Sequence, residues 1–234
     1  MATDRQWRDW FDHHPLPAIP PAEGRVVVLS AHPDDEVLGA GGWLAGHPTR
    51  DVLFCTATDG EASHPGSPTL SPTALARVRA GELERALAAL GHVDAEIVRL
   101  SLPDSGLAGA RDLLTERVAA LVTHADLVLA PFHADGHTDH DTLGLVASQL
   151  CAGVRRLWEY PVWTWEWNDP EEAPIPWAAA GMHVLGAEAR QRKQAALACF
   201  TSQVAPLSAD PADRVVLTPP MLTHALRPYE VFLL

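Results

Sequence analysis

From residue 25 onward, short runs of apolar residues alternate with longer segments in which apolar residues recur at helical spacing. This alternation is typical of β-α-β units and predicts an α/β fold with a mainly parallel sheet flanked by helices on both faces. The predicted strands cover residues 25–30, 51–58, 95–100, 125–132 and 229–234, with strand and loop over 155–165. The predicted helices begin near residue 36 and cover residues 73–91, 111–124, 141–153 and 186–200.

Residues 1–24 do not follow this alternation. They are polar and then rich in proline, ending in HHPLPAIPPAEG, which predicts an N-terminal extension made of a short helix and an extended segment. A chain of 234 residues fits one domain. We therefore expect residues 25–234 to form a single Rossmann-like α/β domain.

The composition limits which kinds of molecule the protein is expected to bind. The formal net charge of −13 argues against nucleic acid, whose binding proteins carry basic patches. No apolar run approaches the roughly 20 residues that a membrane span requires, and the first residues lack the pattern of a signal peptide. Cys55, Cys151 and Cys199 are far apart in apolar surroundings, which favours free thiols in a reducing compartment. We expect a cytoplasmic protein.

Two loops rich in histidine and carboxylate follow the first and fourth predicted strands. The first is AHPDDE at 31–36, and the second is HADGHTDHD at 133–141. If the strand order is 3-2-1-4, these strands are neighbours, and both loops lie at the edge where open α/β sheets bind ligands. Zinc accepts imidazole and carboxylate ligands, and a catalytic zinc site keeps three protein ligands and one open position. The two loops therefore predict a divalent metal site.

Within these loops, His32, Asp35 and His140 make a set of two histidines and one carboxylate. Asp34 lies beside a ligand and is the candidate general base, and His137 is the candidate donor to the oxygen that becomes negative. The dipole of a helix beginning here would favour acidic residues, but it gives no reason for His32.

A glycine cluster, GAGG at 39–42, also follows the first predicted strand. A dinucleotide site requires G-x-G-x-x-G, but Leu44 occupies the third glycine position. Acidic residues also occupy the turn where a pyrophosphate needs backbone amides. NAD is therefore excluded.

These motifs resemble the PIG-L or LmbE-like family, the zinc deacetylases related to N-acetylglucosaminyl-phosphatidylinositol de-N-acetylase. The resemblance rests on AHPDDE followed by VLGAGG and on HTDH at 137–140. It extends from about residue 26 to residue 203 and includes TDGE, RAGE, LPDSGL and TSQ. It implies a zinc-dependent enzyme in which a metal-activated water hydrolyses the acetamide of an N-acetylglucosamine-containing small molecule or glycoconjugate.

The resemblance also implies roles for particular residues. His32, Asp35 and His140 would be the zinc ligands, with Fe²⁺ as the alternative metal, and Asp34 would be the general base. His137 would be the electrophile or general acid, oriented by Asp139. Two further residues would contact the sugar or its linked group, namely Arg79 and Asp104. The family often has proline where this chain has Thr138, which bears on loop rigidity rather than on metal binding.

Simpler interpretations exist for the substrate residues and for the tryptophans. Arg79 would pair with Glu82 on a helix face, and Asp104 would be a turn residue after Pro103. Five of the eight tryptophans lie between residues 157 and 177. They would form a pocket wall or a homo-oligomer contact, and an extended segment would place Trp163, Trp165 and Trp167 on one face.

Three other functions remain open at this stage. The first is an amidase of the same family that acts on a larger acyl group or a non-sugar conjugate. The second is a non-haem iron enzyme, because two histidines and a carboxylate also form that site. The third is a non-catalytic carbohydrate-binding protein, which would have no need of Asp34.

Overall fold

The computed structural model describes residues 2–47 and 51–234. In those ranges, seven strands form one sheet in the order β3-β2-β1-β4-β5-β7-β6. The strands are β1 (Val26–Ser30), β2 (Val52–Thr58), β3 (Glu96–Leu102), β4 (Leu127–Pro131), β5 (Arg156–Tyr160), β6 (Ala180–Val184) and β7 (Tyr229–Leu233). The first five strands pair in parallel, whereas β7 is antiparallel to both β5 and β6.

The helices pack on both faces of this sheet. They are α1 (Asp4–His13), α2 (Asp35–Ala45), α3 (Pro72–Leu90), α4 (Arg111–Val122), α5 (Thr138–Cys151), α6 (Thr164–Trp167), α7 (Ala187–Leu197), α8 (Thr201–Val204) and α9 (Pro219–Ala225). None of the helices in the described ranges has the length and apolar content needed to cross a bilayer.

Strand β1 lies inside the sheet between β2 and β4, and every one of its residues is buried. Successive side chains of a strand point to opposite faces, so Val26 and Val28 belong to one hydrophobic cluster, and Val27 and Leu29 belong to another. The first cluster includes residues of α2, α3 and α7, and the second includes residues of α4 and α5. The predicted α/β architecture with helices on both faces is confirmed.

The predicted strand order 3-2-1-4 is also confirmed, which makes β1 and β4 neighbours. Several details differ from the prediction, which did not include the short helices α6, α8 and α9. Strand β6 was not predicted, and it pairs with β7 at the edge of the sheet. Helix α5 begins at Thr138 instead of residue 141, because His137 caps it by accepting a hydrogen bond from the backbone N–H of Asp139.

The N-terminal segment contributes helix α1, as predicted. Thr3 and Gln6 form a capping box at its start. Trp7 of this helix is fully buried, and its indole N–H donates to the Trp165 carbonyl at 3.0 Å. The Arg227 guanidinium lies over the rings of both tryptophans, so α1 is held against α6.

The glycine cluster of α2 serves close packing. A Cβ atom on Gly39 would lie 2.1 Å from the Tyr160 ring, and one on Gly42 would lie 2.5 Å from Leu185. Lys193 of α7 and Glu230 of β7 form a buried ion pair that hydrogen-bonds to the backbone of α2. These approaches require glycine for space and give a physical reason for the cluster other than nucleotide binding.

Candidate active site and metal centre

The two histidine- and carboxylate-rich segments meet at the carboxyl ends of β1 and β4. His32, Asp34 and Asp35 follow β1, and His140 lies in the first turn of α5. All four residues are buried. His133, from the same second segment, does not join them. Its ring nitrogen pairs with the Glu159 carboxylate at 2.8 Å.

The three residues predicted as metal ligands lie in contact around Asp35. Asp35 Oδ1 is 3.2 Å from His140 Nε2, and Asp35 Oδ2 is 3.6 Å from His32 Nδ1. Asp35 Oδ2 also accepts a hydrogen bond from the His32 backbone N–H at 2.8 Å. Burial raises the pKa of Asp35, but the positive charge and hydrogen bonding of His140 and His32 outweigh it and hold that pKa well below its usual value.

The donor set suits a divalent cation. The Nε2 atom of His140 is fully buried and makes no hydrogen bond, although a carboxylate oxygen lies beside it. Buried polar atoms are normally hydrogen-bonded, so this nitrogen is an available ligand next to a second one. The candidate ligand atoms of His32, His137 and His140 lie within 4.8 Å of one another, as do those of His32, Asp104 and Asp139.

Asp135, which was not predicted from the sequence, contacts the side of the His140 ring that faces away from Asp35. Asp135 is fully buried and accepts a hydrogen bond from His140 Nδ1 at 2.9 Å. Its carboxylate also accepts from the backbone N–H groups of Val162, Trp163 and Thr164 and from the Thr164 hydroxyl. A metal-binding His140 would keep its proton on Nδ1, facing Asp135, and would present the lone pair of Nε2 to the metal. The signal in the sequence was an acid five positions before a predicted ligand.

The backbone of Asp34 is in a conformation that L-residues rarely adopt, with φ 153° and ψ −25°. Such residues cost of order 1–3 kcal/mol and cluster at functional sites. The Asp34 carbonyl accepts the first hydrogen bonds of α2, from Val37 and Leu38. Burial raises the pKa of the Asp34 side chain to about 6, against the lowering effect of the Arg79 guanidinium.

Arg79 is buried and bound to the same turn. It donates to Asp34 Oδ2 at 2.9 Å, to the Pro33 carbonyl at 3.0 Å and to the Gly60 carbonyl at 2.9 Å. Gly60 has φ 67°, and a Cβ there would lie 1.9 Å from the guanidinium. The alternative partner, Glu82, instead accepts hydrogen bonds from Thr201 and Ser202.

Asp104 and Asp139 both face His32. Their carboxylate oxygens lie 3.3 and 3.4 Å from His32 Nε2. Asp139 also accepts from the backbone N–H groups of Ser105 and Leu107, which fixes the LPDSGL segment beside the site. The link between Asp139 and His137 is through the backbone N–H of Asp139, since the Asp139 carboxylate is engaged elsewhere.

His137 is half-buried and forms part of an aromatic wall. Its ring is nearly parallel to those of Trp163 and Trp167, at centroid distances of 5.9 and 6.5 Å. Burial lowers the pKa of His137 to about 4, and the positive charges of His140 and His32 add to that effect. The imidazole is therefore neutral at pH 7.

The expectation that Trp163, Trp165 and Trp167 share one face is wrong, because residues 164–167 are helical. Trp163 and Trp167 are four positions apart and stack at 4.5 Å beside the site. Trp165 points the other way and meets Trp7 edge-on at 4.9 Å. The tryptophan segment thus provides both a site wall and a packing contact for α1.

These residues surround a cavity of about 260 Å³, which we call the first cavity. Its floor carries His32, Asp34 and Asp35, and its sides include Arg79 and Asp104. The remaining lining is the aromatic wall, polar residues such as Ser63 and Gln203, and apolar residues such as Leu217. The volume is just below the roughly 300–1,000 Å³ typical of ligand pockets and suits one small ring.

Known proteins share this sequence pattern. Residues 27–151 match the model of the PIG-L family, described as GlcNAc-PI de-N-acetylase, which is more than half of the chain. The 1D-myo-inositol 2-acetamido-2-deoxy-alpha-D-glucopyranoside deacetylase of Kineococcus radiotolerans is 40% identical over 93 residues, which are 38% of this chain and 25% of that protein. The chain thus spans about a quarter of the length of the curated relatives it matches.

Solved structures share the fold. The A40926 pseudoaglycone deacetylase Dbv21 is similar with a TM-score of 0.66 and 23% identity, covering 91% of this chain and 97% of that one. The N,N'-diacetylchitobiose deacetylase from Pyrococcus horikoshii has a TM-score of 0.57 and 21% identity, covering 75% of this chain and 69% of that one. At this level of identity, the likeness establishes the fold.

Proposed function

This chain belongs to the PIG-L (GlcNAc-PI de-N-acetylase) family, and from that premise we propose that it is a zinc-dependent N-deacetylase. Its substrate would be an N-acetylglucosamine-containing small molecule or glycoconjugate. One observation carries the proposal: a strained, buried Asp34 lies with His32 and Asp35 on the floor of a cavity, and His140 lies behind them in contact with Asp35. A general base next to a candidate metal site is the arrangement that metal-assisted amide hydrolysis requires.

His32, Asp35 and His140 would hold the cation, with Asp135 fixing the orientation of the His140 ring. When bound, zinc supplies Lewis-acid polarisation of the amide carbonyl and makes a water molecule more acidic. Two imidazoles and a carboxylate suit zinc, and iron is the alternative that metal analysis would detect.

Asp34 would take the proton from the attacking water. Arg79 occupies its Oδ2 atom, which leaves Oδ1 as the acceptor. A carboxyl with a pKa of about 6 is ionised at pH 7 and is a stronger base than an ordinary aspartate. The proton then passes to the nitrogen of the leaving amine, so that acetate and a free amino sugar are released.

His137 would stabilise the negative charge that develops on the amide oxygen. Its Nδ1 atom accepts a hydrogen bond from the Asp139 backbone, so we assign the proton of the neutral ring to Nε2. A neutral imidazole can donate from Nε2 without a further proton, as an oxyanion donor must. Trp163 and Trp167 hold the ring in place by stacking.

Arg79 and Asp104 line the first cavity, and we propose that both contact the sugar or its linked group. Asp104 offers a carboxylate to sugar hydroxyls beside His32. The hydrogen bond of Arg79 to Asp34 adds a second role, in which Arg79 positions the base. We further propose a cytoplasmic location, supported by the buried free thiols of Cys55 and Cys151.

The test measures metal content and acetate release on one sample, with a panel of N-acetylglucosamine derivatives. We expect about one zinc per chain and acetate release in the wild type. Asp34→Asn should keep the zinc and lose turnover by a factor of at least about 10², because general-base catalysis contributes that much. Asp112→Asn, at an exposed position on α4, is the matched control and should remain active.

Full activity in Asp34→Asn would show that the base is assigned wrongly. Zinc without acetate release from any sugar would redirect the search to other amides. A protein that binds no metal under any condition would contradict the proposal as a whole.

A further inference from the structure

A second cavity adjoins the first one and has no role in the chemistry described above. Its volume is about 540 Å³, twice that of the first cavity. The two cavities share Ser63, Trp163 and Val216 in their walls. The second cavity therefore lies next to the catalytic floor, with these three residues at the boundary between the two cavities.

The walls of the second cavity differ in character from the catalytic floor. They include the Trp163 indole, two prolines and Val215, and they contain no carboxylate among the described residues. Arg214 is the charged side chain in this lining. It is exposed, and it forms no ion pair within the part of the chain that the structure describes. In a chain of net charge −13, this cavity presents a local positive charge.

The loops that frame the second cavity are fixed to each other. The buried Asp213 carboxylate accepts hydrogen bonds from the hydroxyl groups of Ser67, Thr69 and Ser208. Its backbone carbonyl accepts a further hydrogen bond from Leu207 at 2.9 Å. These bonds join the loop before α3 to the loop before α9, so the backbone next to Arg214 is fixed at the cavity wall.

We propose that the second cavity receives the substituent attached to the amino sugar, and that this substituent is an apolar group carrying one anionic group. The inference rests on the proposed deacetylase function. The apolar part would lie against Trp163 and Val215, since apolar and ring surfaces pack well on an indole. A carboxylate or phosphate would pair with Arg214, whose planar guanidinium suits both anions. An unbranched fatty acyl chain would make no use of Arg214.

The experiment compares kcat/KM for acetate release from N-acetylglucosamine glycosides of one anomeric configuration. The aglycones are methyl, phenyl, 4-carboxyphenyl and 4-phosphophenyl. We expect phenyl to exceed methyl, and the anionic aryl glycosides to exceed phenyl by about fivefold, as for an exposed charge pair. The ratio between the carboxylate and phosphate substrates identifies which anion the site prefers.

Two variants locate the effect in the second cavity. Arg214→Gln should remove the fivefold advantage of the anionic substrates and leave the methyl glycoside unchanged. Val215→Trp should fill the cavity and lower kcat/KM for all aryl glycosides while sparing the methyl glycoside. Arg190→Gln, which removes the same charge from an exposed position on α7, should change none of these values.

Other results would overturn the inference while the deacetylase function stands. Equal kcat/KM for all four glycosides would do so, as would an equal loss for every substrate in Arg214→Gln. If longer N-acyl groups on the methyl glycoside raise kcat/KM and Val215→Trp abolishes that gain, the cavity accommodates the acyl chain. If no glycoside is deacetylated, the proposed function fails, and calorimetric binding of 4-carboxyphenyl glucosaminide tests the cavity alone. If Arg214→Gln then binds this compound as tightly as the wild type does, the inference about the second cavity is wrong.

Discussion

Asp135 Oδ2 lies 2.9 Å from His140 Nδ1 at the fully buried base of the candidate metal centre. Burial raises the pKa of Asp135, but the hydrogen bond and charge of His140 outweigh it and hold that pKa below its usual value. Within residues 2–47 and 51–234, every hydrogen-bond partner of this carboxylate is a donor, including three backbone N–H groups of residues 162–164. The ionised carboxylate thus fixes both the His140 ring and the segment that carries Trp163.

Asp135→Asn should weaken zinc binding by about 10- to 100-fold, because residues behind metal ligands contribute that much. The amide NH₂ group of asparagine would face backbone donors where the carboxylate now accepts. Zinc affinity, measured by competition with a chromogenic chelator, checks this expectation. Asp141→Asn, close in sequence but directed at Gly136, is the matched control. Unchanged affinity in Asp135→Asn would mean that His140 is oriented without it.

Arg79→Lys should lower kcat by at least about tenfold while zinc content stays the same. The guanidinium makes three hydrogen bonds, to Asp34 and to the carbonyls of Pro33 and Gly60, and a lysine ammonium cannot reproduce that planar geometry. Arg77→Lys on the same helix is the control. A loss seen only in KM would indicate that Arg79 acts through the substrate instead of through Asp34.

A feature of the structure could be predicted from the sequence when it depends on residues that are close together in the chain. The strand pattern and the two motif loops are local, and the expectation that β1 and β4 are neighbours then brings His32 and His140 together. Asp135 could not be identified in this way, because its amide partners lie 27 to 29 residues further along the chain. Its role depends on how the segment after β5 returns to the site.

The same limit applies to two other errors. Strand β6 is short, and its partners are β7 and an isolated bridge between Met182 and Ala18, so its strand conformation comes from contacts at the sheet edge instead of a strong local pattern. The Trp163–Trp167 segment alternates like a strand, yet Asp135 binds three successive backbone N–H groups there and stabilises a helical turn. In both places, tertiary hydrogen bonds outweighed the local preference.

Gly39→Ala should destabilise the protein by about 1–3 kcal/mol or more, the range for an overpacked core. Its new methyl group would meet the Tyr160 ring at 2.1 Å, and Tyr160 is held by a hydrogen bond to the Leu29 carbonyl. Gly109→Ala is the matched control, since no heavy atom lies within 4 Å of the added Cβ. Urea denaturation of both variants measures the difference. Equal stability would show that α2 can shift freely away from Tyr160.

Stability should fall as pH is lowered from 6.5 to 4, in part because of His224. Burial lowers the pKa of its imidazole to about 4, and the charge of Arg227, which donates to it, adds to this effect. The unfolded chain, with a histidine pKa of about 6.5, binds more protons than the folded chain between pH 6.5 and 4. The free energy of unfolding therefore decreases as the pH is lowered through this range. The contribution is complete above pH 6.5.

Urea midpoints at pH 5 and pH 7 check the role of His224. The difference between the two midpoints should be smaller in His224→Gln than in the wild type, because the variant lacks the titrating ring. His124→Gln, at an exposed position after α4, should retain the wild-type difference. An identical pH dependence in His224→Gln would assign the effect to other buried histidines, such as His92.

Lys193→Met should destabilise the protein by about 3–5 kcal/mol, because it leaves a buried carboxylate without its cation. Lys193 Nζ lies 2.7 Å from Glu230 Oε1 and also donates to the Leu38 carbonyl. Glu230 in turn accepts from the backbone N–H groups of Gly42 and Trp43. The pair is thus bound to the middle of α2, the helix that begins at the candidate metal ligand Asp35.

A second substitution separates the lost charge pair from lost packing. Adding Glu230→Gln to Lys193→Met removes the unpaired charge while keeping an acceptor near the Gly42 and Trp43 amides, so most of the stability should return. Arg190→Met, on the exposed side of α7, controls for the change of side chain and should have little effect. If the double variant is as unstable as Lys193→Met alone, then the lysine stem and its bond to Leu38, and not the ion pair, anchor α2.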